Sequence, residues 1–314
     1  MRWLLDAVYL SALTALSPWL AYRAARTGRY RRGLRDKLLG LSQSPLPSAR
    51  PVWFHGVSVG EIHLLRQVIA AFRRRRPDVP CVVSTTTDAG FTEARRCFPD
   101  LAVFPFPFDF SWTVRRTLRQ VNPALIVLAE GEMWPNFLLA ARQAGVPVAV
   151  VNGRMSPPSA ARYRRLRWAT APLFDCIALY AAQTEEYAAA VRSLGMAPDR
   201  VHVTGSVKYD GATGDRHNPR TEELRRLLNV TDDDLVWVAG STMAPEEEIV
   251  LGVYRRAKET HPNLRLFIAP RQPDRFDEAA ELLRRSGVPF VRRTSLTAPP
   301  DRGAVVLLDT LGEL

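Results

Sequence analysis

The chain has 314 residues, of which 46% are apolar and 24% are charged. This composition excludes a disordered or fibrous protein and allows two domains with a core each. The net charge of +11 indicates an anionic partner, such as nucleic acid, membrane headgroups or a phosphorylated substrate. The three cysteines are widely spaced, which favours buried thiols over a disulfide framework, and the five histidines show no metal-ligand spacing.

Residues 1–40 predict a membrane anchor followed by a basic collar. An apolar stretch at 4–22 is about long enough to enter a bilayer, although Asp6 and Pro18 interrupt it. Residues 1–40 carry eight Lys and Arg against two Asp, and most of the positive charges follow the apolar stretch. That order is typical of a retained anchor and not of a cleaved signal peptide, and it keeps the rest of the chain in the cytoplasm. A buried amphipathic helix of the globular domain is the alternative.

From residue 51 onward, short apolar runs alternate with helical patterns. The runs do not alternate in polarity, so they predict strands buried on both faces, as in parallel sheets. Two of the helices are followed by the expected stop glycine. In the first half, strands are predicted at 52–55, 81–85, 125–128, 148–151, 176–180 and 201–203, with helices at 134–144 and 184–194.

A polar, glycine-bearing stretch at 208–220 predicts a linker between a first domain, 41–207, and a second, 221–314. In the second domain the patterns predict three strands, 235–239, 264–269 and 304–308, and two helices, 246–260 and 275–286. Three strands make a thin sheet, so we expect this domain to be incomplete.

Carboxylates follow two of the predicted strands. Glu61 ends the run Phe54-His55-Gly56-Val57-Ser58-Val59-Gly60-Glu61, and Glu130 and Glu132 flank Gly131 after the strand at 125–128. In open α/β sheets these strand ends face the ligand crevice. The alternatives are a helix N-terminal Glu61 that complements the helix dipole and a Glu132 that caps the next helix.

Six motifs occur in one order along the chain and carry a family resemblance. They are His55-x-x-Ser58-Val59-Gly60-Glu61, Glu130-Gly131-Glu132-Met133-Trp134-Pro135-Asn136, Gly205-Ser206-Val207-Lys208-Tyr209-Asp210, Gly240-Ser241-Thr242, Ala269-Pro270-Arg271 and Asp309-Thr310-Leu311-Gly312-Glu313-Leu314. In this order, and after an apolar N-terminal stretch, they resemble the 3-deoxy-D-manno-octulosonic acid (Kdo) transferases of lipopolysaccharide assembly.

The resemblance implies a GT-B fold of two Rossmann-like, doubly wound domains. It also implies inverting transfer of Kdo from CMP-Kdo to the glucosamine disaccharide of a lipid A precursor of the lipid IVA type. No cofactor or metal is expected, because CMP-Kdo is a donor substrate. The expected setting is the cytoplasmic face of the inner membrane, with an anionic membrane surface as partner and no nucleic acid.

The resemblance also assigns roles to residues. Glu61 is expected to be the general base, Glu130 to support the transition state, and Lys208 to neutralise charge on the donor. The expected substrate-binding residues are Ser58, Gly60, Glu132 and Asn136 in the first domain, and Ser241, Thr242, Pro270, Arg271, Leu311, Gly312 and Glu313 in the second.

The sequence departs from the family pattern in two places. Met243 and Gln272 stand where the family commonly has histidine, so donor contacts are expected to differ. The family also continues with a glycine-rich segment and an Asn-x-x-Glu motif, so we expect this chain to be a fragment or a truncated product. The alternatives are another GT-B nucleotide-sugar enzyme, or a membrane-tethered lipid-A-binding module without catalysis. The number of Kdo units, acceptor acylation and the oligomeric state are left open.

Overall fold

The structure is a computed structural model that describes residues 5–11, 14–17, 19, 34–40, 45–210, 215 and 217–310. The chain divides into two compact units, Met1–Ala212 and Thr213–Leu314. The boundary falls within the stretch for which a linker is predicted. Both units are α/β, with helices packed on parallel sheets.

The first unit alternates strands and helices along its whole length. Its strands are β1 (Val52–His55), β2 (Cys81–Thr85), β3 (Ala102–Pro105), β4 (Leu125–Ala129), β5 (Val148–Gly153), β6 (Ile177–Ala182) and β7 (Val201–Val203). Its helices are α1 (Leu34–Leu39), α2 (Val59–Arg75), α3 (Asp88–Cys97), α4 (Ser111–Val121), α5 (Pro135–Gln143), α6 (Pro157–Arg165), α7 (Arg167–Phe174) and α8 (Glu185–Ser193).

The seven strands form one parallel sheet in the order β3-β2-β1-β4-β5-β6-β7. The chain reverses its direction of travel across the sheet after β3, so β1 and β4 are neighbours although far apart in sequence. Such a switch point opens a crevice beyond the strand ends where ligands bind in open α/β sheets. The two strands that precede the predicted carboxylates are therefore adjacent.

Each face of this sheet has its own hydrophobic core. Alternate strand residues such as Trp53 and Leu128 pack with helices α4 to α8, whereas Phe54 and Val127 pack with α2 and α3. Because both faces are covered, β1 and β2 are buried at every position. This explains the unbroken apolar runs in the sequence.

The second unit holds a four-stranded parallel sheet in the order β10-β11-β9-β8. The strands are β8 (Leu235–Thr242), β9 (Leu264–Pro270), β10 (Phe290–Arg292) and β11 (Val305–Leu307), and the helices are α9 (Pro219–Leu227), α10 (Glu246–Thr260) and α11 (Phe276–Ser286). Strand β9 is buried throughout and lies at the centre, whereas β8 lies at an edge of the described sheet.

The described N-terminal residues are helical and attach to the first unit through polar contacts. The buried carboxylate of Asp6 accepts hydrogen bonds from the Ser111 amide at 2.8 Å, the Ser111 hydroxyl at 2.6 Å and the Asn136 side chain at 3.1 Å. Within the described residues, no helix is both long and apolar enough to cross a bilayer. Asp6 thus ties this segment to the starts of α4 and α5.

The predicted α/β class with parallel sheets is confirmed. Two strands were not predicted, β3 and β10. Both are short, and the prolines after Phe104 make the β3 region resemble a loop. Lys208, which is expected to neutralise charge on the donor, lies in a 3₁₀ turn, Val207–Tyr209, after β7.

Candidate active site

The turn after β1 fixes the carboxylate of Glu61. Ser58 is the N-cap of α2, and its hydroxyl donates to Glu61 Oε1 at 2.9 Å while accepting the Glu61 amide at 3.3 Å. The amide of Val57 donates to Glu61 Oε2 at 2.8 Å. These contacts are a variant of the capping box, because Glu61 at the third helical position accepts the amide of Val57, one residue before the N-cap, and not that of Ser58. Both roles considered for Glu61 are therefore compatible with one position.

The turn after β4, which carries Glu130 and Glu132, has an uncommon backbone conformation. Glu130 has φ of 58° and Gly131 has φ of 95°, so two successive residues adopt left-handed backbone. The amide of Glu130 donates to Val151 O at 2.9 Å, and the amide of Arg154 donates to Glu130 O at 3.1 Å. A non-glycine residue with positive φ is uncommon, and such strain concentrates at functional sites.

One cavity of about 390 Å³ gathers these groups in the first unit. The three carboxylates come from the neighbouring ends of β1 and β4, and a guanidinium comes from the end of β5. The lining residues are Glu61, Glu130, Gly131, Glu132, Met133, Trp134, Arg154, Met155, Ser159 and Tyr163.

The carboxylates in this cavity influence one another. Desolvation raises the pKa of Glu132, and the nearby negative charges of Glu61 and Glu130 act in the same direction. Glu132 consequently takes up a proton more readily than a solvent-exposed glutamate does.

Asn152 connects the cavity to the chain beyond β7. It is 1% exposed, and its side-chain amide donates to Glu130 Oε1 at 3.5 Å while its side-chain oxygen accepts the Val207 amide at 3.1 Å. The ammonium of the neighbouring Lys208 lies 3.8 Å from Glu130 Oε1. Since the Lys208 side chain is 62% exposed, this ion pair adds little stability and leaves the ammonium available to a ligand.

Asn152, Arg154, Ser159 and Tyr163 were not predicted as site residues. The sequence pattern could have indicated Asn152 and Arg154, because Asn152-Gly153-Arg154 follows an apolar strand just as the glutamates do. Ser159 and Tyr163 lie on α6, and only the fold brings that helix to the cavity.

Asn136 is predicted to bind substrate, and the structure gives it another contact. It is 2% exposed, and its side-chain amide donates to Asp6 and to the Asp109 carbonyl at 2.6 Å. Its position at the start of α5, next to a buried carboxylate, explains this burial. Asp109, and not Glu132, caps α5, since its carboxylate accepts the amides of Asn136 and Phe137. Gly60 is an exposed residue in the first turn of α2.

In the second unit the predicted donor-binding residues lie at the ends of β8 and β9. Ser241 has positive φ at 57°, and Thr242 accepts the Arg271 amide at 3.0 Å through its carbonyl oxygen. Thr242 and Pro270 are buried, whereas Ser241 and Arg271 are exposed. The two strand ends are thus joined directly. Leu311, Gly312 and Glu313 lie outside the described residues.

An ion pair that was not predicted supports this turn. Arg275 donates to the 2% exposed Glu247 at 2.8 and 3.3 Å and to Thr242 O at 3.4 Å. Hydrogen bonds to Glu247 and Glu278 raise the pKa of Arg275. Met243 and Gln272, the two departures from the family pattern, are both exposed beside the turn.

Among the residues that the structure describes, one group of possible metal ligands lies outside the cavity. His63 Nε2 and Cys97 Sγ approach Glu93 Oε1 at 3.2 and 3.3 Å. Arg96 also pairs with that oxygen at 2.6 Å, and burial together with the Glu93 contact raises the pKa of the Cys97 thiol. The carboxylate is therefore already occupied by a cation and a thiol.

The sequence comparisons agree with one another. A family profile described as "3-Deoxy-D-manno-octulosonic-acid transferase (kdotransferase)" matches residues 24–211. A 3-deoxy-D-manno-octulosonic acid transferase of Haemophilus influenzae is 29% identical over 98% of this chain and 72% of its own length. Those of Bordetella pertussis and Chlamydophila psittaci are 31% and 30% identical, and the chain covers 74% and 66% of their lengths.

Solved structures show the same fold at low identity. The UDP-GlcNAc 2-epimerase of Neisseria meningitidis has a TM-score of 0.56 and 12% identity, over 82% of this chain and 71% of that one. The corresponding enzyme of Methanocaldococcus jannaschii has a TM-score of 0.51 and 14% identity, over 82% and 72%. The fold is therefore GT-B-like, and the sequence matches carry the assignment. The chain belongs to the Kdo transferase family of glycosyltransferases.

Proposed function

We propose that the chain transfers Kdo from CMP-Kdo to a phosphorylated lipid A precursor at the cytoplasmic face of the inner membrane. The observation that carries the proposal is the convergence of Glu61, Glu130 and Glu132 with Arg154 in one cavity. Membership of the Kdo transferase family indicates which sugar is transferred. The carboxylates and the guanidinium of the cavity are the chemical groups that its transfer requires.

In this reaction Glu61 takes the proton from an acceptor hydroxyl. The hydroxyl oxygen forms a bond to the anomeric carbon of Kdo as the bond to the CMP phosphate breaks, with inversion. The two hydrogen bonds from Ser58 and Val57 hold the carboxylate in one orientation. Such positioning matters because a general base must lie within hydrogen-bond reach of the proton that it removes.

The other groups stabilise charge as the sugar–phosphate bond breaks. The Glu130 carboxylate faces positive charge that develops on the sugar ring, and the Arg154 guanidinium suits a carboxylate or phosphate of the substrates. Lys208, next to Glu130, adds a second cation. In the second unit, Arg271 and the Ser241–Thr242 turn suit the phosphate and nucleotide of the donor.

The test is a substrate matrix analysed by mass spectrometry. The 314-residue chain is incubated with CMP-Kdo or UDP-GlcNAc, and with a lipid A precursor or its dephosphorylated form. We expect a Kdo mass increment with CMP-Kdo and the phosphorylated acceptor. An N-acetylhexosamine mass increment on the acceptor with UDP-GlcNAc would contradict the proposal and favour a different nucleotide-sugar enzyme.

A lipid-A-binding module without catalysis is the alternative that the same cavity residues allow. Isothermal titration with CMP and with the lipid A precursor separates the two. Binding of both ligands together with turnover supports the transferase. Binding of the lipid alone, without CMP and without turnover, supports the module.

A further inference from the structure

The corner between α6 and α7 exposes an unusual combination of side chains. Every residue in 164–168 is exposed, and the sequence there is Arg-Arg-Leu-Arg-Trp. Trp168 is 80% exposed and Leu166 is 54% exposed. In the described part of the chain, no other large apolar side chain is more exposed than Trp168. We call residues 162–168 the corner segment.

Four arginines are close to these two apolar side chains in the sequence. The corner segment contains Arg162, Arg164, Arg165 and Arg167, and within the described residues none of them forms an ion pair with a carboxylate. Arg162 donates to the Ser159 hydroxyl, and Arg164 to the Ser193 hydroxyl at 3.5 Å. Four positive charges therefore lie beside an exposed tryptophan without internal compensation.

This chemistry matches the surface of an anionic bilayer. Tryptophan prefers the headgroup level, where its ring is partly desolvated and its N–H stays hydrated. Arginines next to such an anchor pair with lipid phosphates. Leucine beside the tryptophan adds apolar area that enters the boundary of the acyl chains.

The same layer of the first unit carries other exposed apolar groups. Helices α4 to α7 pack on one face of the seven-stranded sheet, and the N-terminal helical residues attach to the starts of α4 and α5. Trp112 on α4 is 45% exposed, and Val8 and Leu16 are each 54% exposed. The corner segment is thus not isolated, because the layer that contains it presents apolar side chains at several points.

The corner segment also adjoins the cavity. Ser159 and Tyr163 of α6 line the cavity, and Tyr163 is five residues from Trp168. Helix α6 has nine residues and is about 13 Å long. A bilayer touching the corner segment would therefore lie within about one short helix of the carboxylates.

We propose that the corner segment is a membrane contact, in which Trp168 and Leu166 enter the headgroup region of an anionic bilayer and the arginines bind lipid phosphates. This contact is separate from the anchor predicted for residues 1–40. Its purpose rests on the proposed function, since a lipid acceptor must leave the bilayer surface to reach Glu61. The existence of the contact does not rest on the proposed function, because binding to vesicles is measured without turnover.

The first experiment measures partitioning of the full chain onto phosphatidylcholine vesicles with and without phosphatidylglycerol. Arg165→Glu with Arg167→Glu is compared with Arg226→Glu with Arg256→Glu, two exposed arginines of the second unit that change the net charge equally. We expect the corner pair to weaken binding to the anionic vesicles by about tenfold or more, and the control pair to have a much smaller effect. Equal effects of the two pairs would overturn the proposal.

The second experiment asks whether Trp168 itself enters the bilayer. Brominated lipids quench tryptophan fluorescence at short range, and Trp168→Phe is compared with Trp237→Phe in the second unit. We expect the quenched fraction to fall in Trp168→Phe and to persist in the control. A Trp168 signal that vesicles do not quench, together with loss of binding to a single-stranded oligonucleotide in the arginine variant, would assign the segment to nucleic acid instead.

Activity on detergent-dispersed acceptor separates this proposal from the proposed function. The corner variants should transfer Kdo to dispersed acceptor at the wild-type rate and lose rate only on vesicles. If the wild-type chain transfers nothing in either format, the proposed function fails while the vesicle-binding result still stands by itself. If the corner variants match the wild type on vesicles in both binding and rate, the membrane contact is contradicted.

Discussion

Glu61 shows how one side chain serves both the fold and the proposed chemistry. Its carboxylate closes the start of α2 through Ser58 and Val57, and it lines the cavity with two further carboxylates. A capping role and a catalytic role are often treated as alternatives. Here the capping contacts supply the orientation that a general base needs, because they fix both carboxylate oxygens.

His55 lies buried behind this turn and remains neutral. Its Nδ1 lies 3.1 Å from the Ser84 carbonyl oxygen and 2.9 Å from the Ser84 hydroxyl oxygen. The ring stacks on Phe106 with centroids 3.8 Å apart. Burial lowers the pKa of His55 to about 3, because the charged ring would lose its hydration.

A pH dependence of stability follows from that pKa. Between pH 6.5 and 3 the unfolded chain binds a proton at His55 that the folded chain does not, so stability falls as pH falls. From pH 7 to pH 5 we expect the wild type to lose about 2 kcal/mol more than His55→Gln in urea unfolding. His261→Gln, which changes an exposed histidine, should keep the wild-type pH dependence. If His55→Gln also keeps the wild-type pH dependence of stability, the attribution of that dependence to His55 is wrong.

The backbone at the end of β5 packs so closely against β6 that its last residue, Gly153, has no room for a side chain. A Cβ on Gly153 would lie 2.3 Å from the ring of Tyr180, a buried residue on β6. Real Cβ atoms do not approach so closely, so the strand or the ring would have to move. Asn152 and Arg154 flank Gly153, and any such movement would disturb the cavity.

We expect Gly153→Ala to destabilise the first unit by about 1–3 kcal/mol and to lower transfer activity. Gly252→Ala is the matched control, because a carbon added at this helical site in α10 would have no atom within 4 Å apart from its chain neighbours and the backbone of its own helix. There alanine should stabilise by up to about 1 kcal/mol, as its helix propensity is higher. Thermal unfolding followed by circular dichroism measures both variants, and equal melting temperatures would contradict the steric argument.

The edge strand β8 is the second element with a testable property. Leu235, Val236 and Val238 are 43–48% exposed, and β8 pairs only with β9 within the described residues. An apolar edge strand with free backbone groups promotes association between chains.

We therefore expect the 314-residue chain to self-associate with increasing concentration in analytical ultracentrifugation. Val236→Lys with Val238→Lys should shift the distribution toward monomer. Thr260→Lys with His261→Lys adds the same charge at exposed positions and should not do so. Association that responds equally to both pairs would point to net charge instead of the strand edge.

The elements also show what the sequence allows one to predict. Runs such as 81–85 and 246–260 coincide with β2 and α10, because burial on both faces and a single amphipathic period leave clear patterns. Strand β3 was missed because four residues with a proline carry little pattern.

Glu61 and Glu130 were predicted from their positions after strands, whereas Ser159 and Tyr163 reach the cavity only through the packing of α6. The motif that contains Asn136 does not reveal that the side-chain amide of this residue donates hydrogen bonds to Asp6 and Asp109.

In the first unit, side chains of the N-terminal residues contact the starts of α4 and α5. Asp6 binds Ser111 and Asn136, Tyr9 donates to Asp109 at 3.1 Å, and Asp109 caps the helix that follows Glu132. The interruption of the apolar stretch by Asp6 therefore has a structural reason in the first unit. The segment predicted as an anchor is linked through side chains to the loop that carries the proposed catalytic carboxylates.

Steady-state kinetics of Glu61→Gln tests whether Glu61 acts as the base in Kdo transfer. The substitution keeps the shape of the side chain and removes its basicity. We expect kcat for Kdo transfer to fall by about 10²–10⁴-fold, while the KM values for CMP-Kdo and acceptor change little. Glu93→Gln, a glutamate outside the cavity, should retain wild-type kcat. A Glu61→Gln variant with wild-type kcat would contradict the role of Glu61 as the base. A wild-type chain that transfers no Kdo would contradict the proposed reaction.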